Sequence, residues 1–157
     1  MPAKIPLKRK PDFKTVEDAE LFGFIAGDGC ITTDGLRIDC LEYNLIRVRY
    51  LMRQVFHETP KEKYRRLYGN QTVPVVRLAL YRTAIIELAS EIGYWDSKKD
   101  KCVPLPILHG SDEIKAAFVR GLAEADGTVN NRGDIRIAGA YLPLMEGTFR
   151  LLRDLSV

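Results

Sequence analysis

Two segments of this sequence end alike. Leu21-Phe-Gly-Phe-Ile-Ala-Gly-Asp28-Gly29 and Val119-Arg-Gly-Leu-Ala-Glu-Ala-Asp126-Gly127 share glycine at the third place, a small residue at the seventh, aspartate at the eighth and glycine at the ninth. One Asp-Gly pair does no more than open a turn. Two pairs, each closing a mostly apolar run, indicate an internal duplication. On a helix, Gly23 and Gly27 lie four residues apart on one face, as do Gly121 and Ala125, and small residues there let two helix backbones approach closely. If the two helices pack in parallel, Asp28 and Asp126 emerge side by side. Carboxylates about 4 Å apart repel by roughly 4 kcal/mol at an effective dielectric of about 20, which calls for protonation or a divalent cation. With oxygen ligands and no histidine nearby, the cation expected is Mg2+, and such a site suits the hydrolysis of phosphodiesters.

The elements that must position this pair can be read outward from it. Thr15-Val-Glu-Asp18 has the form of a capping box, which predicts a helix over 16–27 whose middle is apolar around nearly its whole circumference and so demands burial on several sides. Asp34-Gly35 predicts a hairpin between strands 30–33 and 36–42. Helical spacing of Leu45, Ile46, Val48, Leu51, Met52 and Val55 predicts a helix over 43–56. A second hairpin is expected over 61–82, turning at Gly69-Asn70, with Val76, Leu78 and Leu80 inward and Val75, Arg77, Ala79 and Tyr81 outward. Thr83 is the expected cap of a helix running to Gly93. Residues 94–110, with Pro104 and Pro106, read as a linker. The pattern then restarts: Ser111 caps a helix over 114–125, strands follow at 128–130 and 135–138 around Asn131-Arg-Gly133, and a helix covers 142–155. The fold class expected is α+β, a tandem αββαββα pseudo-symmetric repeat with antiparallel sheets. Its parts are a basic arm at 1–14, a first half at 15–93, the linker at 94–110, and a second half at 111–157 that lacks a second hairpin and last helix. The chain is therefore expected to be a fragment, or to be complemented by another chain or segment that supplies the missing strands.

Composition narrows the function classes. Of 157 residues, 46% are hydrophobic and 29% charged, enough for a buried core, and no run is long and apolar enough for a membrane span or a signal peptide. An intracellular location, cytoplasmic or nucleoid, is expected, with no membrane partner. Cys30, Cys40 and Cys102 have neither disulfide nor zinc spacing and are expected to be small buried hydrophobes. The net charge of +3 conceals basic clusters at Lys4–Lys14, Lys61–Arg66 and Lys98–Lys101, which suit a polyanion. The N-terminal arm is expected either to be disordered or to add phosphate contacts. His57 and His109 are isolated and receive no role.

Both Asp-Gly segments resemble the signature of the LAGLIDADG homing endonucleases, and the resemblance extends through the strands and helices that follow each. It implies a site-specific DNA endonuclease, typical of mobile introns, that makes a staggered double-strand cut. In that family the last acidic residue of each signature binds the metals, which here falls on Asp28 and Asp126, with Gly27 and Ala125 beside them at the metal site. The sixth place is Ala26 in one copy and Glu124 in the other, so it supplies no shared ligand. A basic residue before a Val-Pro turn fits Lys101 in Lys101-Cys-Val-Pro104, with Lys98 and Lys99 as rivals. The resemblance also implies a saddle of sheets in the DNA major groove, and strand alternation nominates Arg37, Asp39, Arg65, Arg77, Asp134 and Arg136 for the outer face. Arginine bonds guanine with two hydrogen bonds, and aspartate accepts from cytosine or orients an arginine. Other readings are an RNA maturase that assists intron splicing, and a DNA-binding module without catalysis.

Overall fold

The computed structural model describes residues 3–157, so the first two residues of the basic arm lie outside it. The Thr15 hydroxyl accepts the N–H of Asp18 and starts helix α1 (Val16–Asp28). Only half of the expected capping box forms. The Asp18 carboxylate, fully buried, turns away from the cap and accepts from the N–H groups of Asp12 and Phe13 and from both ends of the Arg9 guanidinium. Strands β1 (Gly29–Thr32) and β2 (Gly35–Leu41) follow as a hairpin, then a 3-10 turn (Glu42–Asn44) and helix α2 (Leu45–Phe56).

Strands β3 (Lys61–Arg66) and β4 (Val75–Leu80) complete a four-stranded antiparallel sheet in the order β1-β2-β4-β3. Leu36, Ile38 and Cys40 on β2 and Val76, Leu78 and Leu80 on β4 are enclosed, and they share one face because their register pairs them directly. Ala79, expected outward, is on the outer face yet buried: its register partners are Arg37 and Lys61, whose long side chains flank a methyl group. Helix α3 (Ile85–Glu91) packs behind the sheet. Its cap residue is Ala84; the Thr83 hydroxyl, expected to cap it, instead accepts the N–H of Ile5.

The connection after α3 is more ordered than its prolines suggest. Tyr94 is buried and stacks edge-on to Phe22, Trp95 bridges to Lys101, and Val103 and Ile107 enter the core around the short helix α4 (Leu105–Leu108). Ser111 then accepts the N–H of Ile114 and begins α5 (Asp112–Asp126), which runs into a two-stranded sheet of β5 (Gly127–Val129) and β6 (Ile135–Ile137), followed by α6 (Leu142–Asp154). The architecture is α+β with antiparallel sheets, and α5-β5-β6-α6 repeats the order α1-β1-β2-α2. Phe22, Phe24, Ile25 and Phe118 are closed off from solvent in the core, each worth about 2 kcal/mol of burial.

The basic arm packs onto the first half along part of its length. Arg9 is tied to Asp18 and to the carbonyl of Val55, Lys4 pairs with Glu87, Lys10 pairs with Glu91, and Ala84 donates its N–H to Ile5. The buried Asp18 charge explains the order, because leaving it unpaired would cost several kcal/mol.

Candidate active site between the paired helices

Helices α1 and α5 lie side by side and parallel, with Glu20 and Phe24 beside Gly121, Gly23 beside Phe118 and Leu122, and Gly27 beside Ala125 and Asp126. A methyl group on Gly23 would sit 2.2 Å from the Phe118 carbonyl oxygen, and one on Gly121 would sit 2.0 Å from that of Glu20. Both are impossible contacts, so the two glycines set the distance between the helices. Gly27 and Ala125 close the same seam one turn on: a Cβ at Gly27 would meet that of Ala125 at 2.5 Å and the Asp126 carboxylate at 3.3 Å.

At the end of this seam, Asp28 and Asp126 are each the last residue of their helix and hand the chain directly to a strand. Burial, and next the neighbouring Asp126 charge, push Asp28 up to about 7 against the downward pull of Lys101. Burial also raises Asp126, with Lys101 opposing. Lys101 reaches the pair from the connection between the halves. Its ammonium donates to the carbonyls of Gly29 at 2.8 Å and Ala26 at 3.1 Å, and it lies over the Tyr141 ring. Burial lowers its pKa, while Asp126, Cys30 and Asp28 pull it upward. The rival lysines are elsewhere: Lys98 is exposed, and Lys99 lies over Trp95.

Two neighbouring carboxylates whose proton affinity is raised by burial, and at Asp28 also by the charge of Asp126, fit a divalent cation, since binding one replaces the proton each is pressed to keep. Among the described residues no cluster of three or more His, Cys, Asp or Glu side chains is found. Glu124 is exposed and offers its main-chain carbonyl to Asn44, while Ala26 is buried, so the sixth signature place has no counterpart across the seam.

On the outer face of the larger sheet, Asp39 accepts two hydrogen bonds from Arg77 at 2.6 and 2.7 Å, and Arg37 neighbours Asp34 at 3.4 Å. Hydrogen bonding to Asp39 raises the pKa of Arg77 further. Arg65 does not join them. A bulge between Glu62 and Tyr64 shifts the alternation of β3 by one residue, so Tyr64 pairs with Arg77 while Arg65 pairs with the inward Val76. Arg65 accordingly bonds Glu42 and Glu62. Tyr64 takes its place, donating to Asp39 and lying under both Arg66 and Arg77. In the smaller sheet Arg136 is exposed opposite Thr128, whereas Asp134 closes the hairpin by accepting from the Asn130 amide at 2.8 Å. Of the cysteines only Cys40 is buried; Cys30 is exposed and Cys102 intermediate.

Glu20 was not singled out by its sequence pattern. It is 3% exposed and receives hydrogen bonds from Arg47 on α2 and Arg120 on α5, joining the halves. Burial alone would raise its pKa, but the two arginines outweigh this and hold it low. A charge on an otherwise apolar helix was the available signal.

The helix seam, its twin terminal aspartates and the antiparallel sheets that leave from them make up the fold of the LAGLIDADG homing endonucleases. Among solved structures, the chain is similar to the homing endonuclease I-DmoI in complex with DNA and Mn (TM-score 0.56, 22% identity, covering 90% of this chain and 78% of that one). It is also similar to mesophilic variants of I-DmoI (TM-score 0.58, 20% identity, 90% and 78%) and to I-DmoI in complex with DNA and Ca (0.57, 21%, 90% and 73%). The sequence matches no family profile and no curated protein.

Proposed function

We propose that this chain is a site-specific DNA endonuclease that hydrolyses phosphodiester bonds with a divalent cation, Mg2+ by ligand chemistry, held by Asp28 and Asp126. The observation that carries this reading is the meeting of two raised carboxylates and a desolvated lysine at the point where both sheets leave the helix pair. The complexes of I-DmoI with DNA and with Mn or Ca support it by likeness of fold.

When bound, the cation supplies charge stabilisation and an acidified water. The chain does the rest. Asp28 and Asp126, rigid at helix ends, set where the cation and the scissile phosphate meet. Lys101, anchored on carbonyls of α1, holds positive charge beside the developing anion, and its lowered pKa makes it a ready proton donor. Arg77, fixed by Asp39 and Tyr64, presents its guanidinium toward base edges, while Arg37 and Arg136 extend the basic face. A staggered double-strand cut and a place within a mobile intron belong to the same reading, as does an intracellular location.

The test is selection from a pool of randomised duplexes with Mg2+, followed by sequencing of the ends formed. Recurrent ends within one motif are expected, and Asp28→Asn or Asp126→Asn should remove them while retaining binding. Specific binding without any ends in Mg2+ or Mn2+ would make the protein a binding module. Preference for structured intron RNA over every duplex would make it a maturase.

A further inference from the structure

Lys101 is held from both halves of the protein. Its ammonium has three N–H donors, and the main-chain carbonyls of Gly29 at 2.8 Å, Ala26 at 3.1 Å and Ile25 at 3.4 Å stand ready to accept them. The Ile25 carbonyl also accepts from the buried Tyr94 hydroxyl at 3.3 Å. These groups form a floor at the end of α1, and the cover comes from the second half. The Tyr141 ring, at the start of α6, has its centre 5.6 Å from the Lys101 nitrogen, within reach of a cation–π attraction. A close approach further along α6 fixes the ring there. Gly147 meets the connection at Val103, where an added Cβ would stand 2.7 Å from the valine Cγ2. Val103 is buried and β-branched, so it has little freedom to swing aside. Residues 101 and 103 of the connection therefore dock together on α6.

Asp28 and Asp126 pull on the same ammonium. A lysine drawn fully onto them would neutralise the pair that is to hold the cation. We infer that Tyr141 is a positioning residue: its ring, set by the packing of Gly147 on Val103, keeps the Lys101 ammonium on the α1 carbonyls and off the two carboxylates. The attraction is to the face of the ring, so phenylalanine should serve in place of tyrosine and an aliphatic residue should not. The consequence for cleavage rate rests on the endonuclease reading; the placement of Lys101 does not.

The test is nuclear magnetic resonance on the whole, metal-free protein carrying isotopically labelled lysine, with the Lys101 signal assigned by its loss in Lys101→Met. An Overhauser contact between the Lys101 Hε protons and the Tyr141 ring is expected in the natural protein, and it requires no variant to fold. Protons over the face of an aromatic ring resonate upfield, so the Lys101 Hε signal should move downfield in Tyr141→Leu and stay in place in Tyr141→Phe. The ring is only half-buried, so both variants should keep the fold by circular dichroism. On a duplex taken from the selection, with Mg2+, Tyr141→Leu should lower kcat roughly tenfold with KM little changed, and Tyr141→Phe should recover the rate. An absent Overhauser contact, or Tyr141→Phe behaving as Tyr141→Leu in either assay, overturns the inference. So does a Tyr141→Leu protein that cuts as fast as the natural one. A natural protein that shows the contact yet cuts no duplex would fault the endonuclease reading, while the phenylalanine rescue of the Lys101 signal would still support the placement.

Discussion

Replacing Asp28 with asparagine should make the metal-free protein more stable at alkaline pH. The carboxyl of Asp28 is pushed to about 7 in the folded chain, against about 3.9 for an aspartate in an unfolded one. Between about pH 4 and pH 7 the folded state keeps a proton that the unfolded state has released, so stability falls as pH rises through that window. Above it the whole cost is present. A displacement of about three pKa units corresponds to about 4 kcal/mol, and the solvent access of this carboxyl lowers that to about 2 kcal/mol. Asparagine has the same shape without the charge and also relieves Asp126, so Asp28→Asn should gain about 1–2 kcal/mol at pH 8 and almost nothing at pH 4. In urea unfolding with a chelator present, this is a midpoint shift of about 0.5–1 M. Adding Mg2+ should stabilise the natural protein at pH 8 and the variant much less, because a ligand stabilises only the state that binds it. A variant midpoint at pH 8 equal to or below that of the natural protein would refute the reasoning, since it would mean that the two carboxylates do not burden the fold.

Gly23→Ala should destabilise by about 1–3 kcal/mol despite alanine's better helix propensity, because the added methyl group meets main-chain atoms of Phe118 and Leu122 that cannot swing aside. Thermal unfolding would show it, and the spread helices should slow any metal-dependent cleavage. Asp18→Asn should cost about 2–4 kcal/mol by leaving Arg9 without its buried partner, and hydrogen exchange should show residues 3–14 released first. Arg77→Ala should relax the preference for one base pair of a selected duplex site by about 1–3 kcal/mol while changing the salt dependence of binding little, measured by competition against substituted duplexes.

Several features were decided within a few residues of chain and were legible there. The caps at Thr15 and Ser111 depend on one hydroxyl and one N–H three residues on. The inward stripe of Val76, Leu78 and Leu80 depends on strand alternation, and a hairpin after α1 was legible too, although it turns at Thr33-Asp34, one residue before the expected Asp34-Gly35, with Gly35 already paired to Thr32. The meeting of Asp28 with Asp126 was also visible, although the two are far apart, because duplication displays a long-range relation as a repeated word and the glycines beside it state how closely the helices must approach. Other features arose only from three-dimensional packing. Alternation placed Arg65 on the outer face, but a bulge in β3 gave that place to Tyr64, and bulges follow from cross-strand register, which no single strand encodes. The basic arm read as free cations until the buried Asp18 and the acidic edge of α3 were seen to lie beneath it. The sequence could nominate Lys101 for the site but not its anchor: only the path of the connection past α1 lays its ammonium over the helix's last carbonyls, where burial and two carboxylates together set its charge.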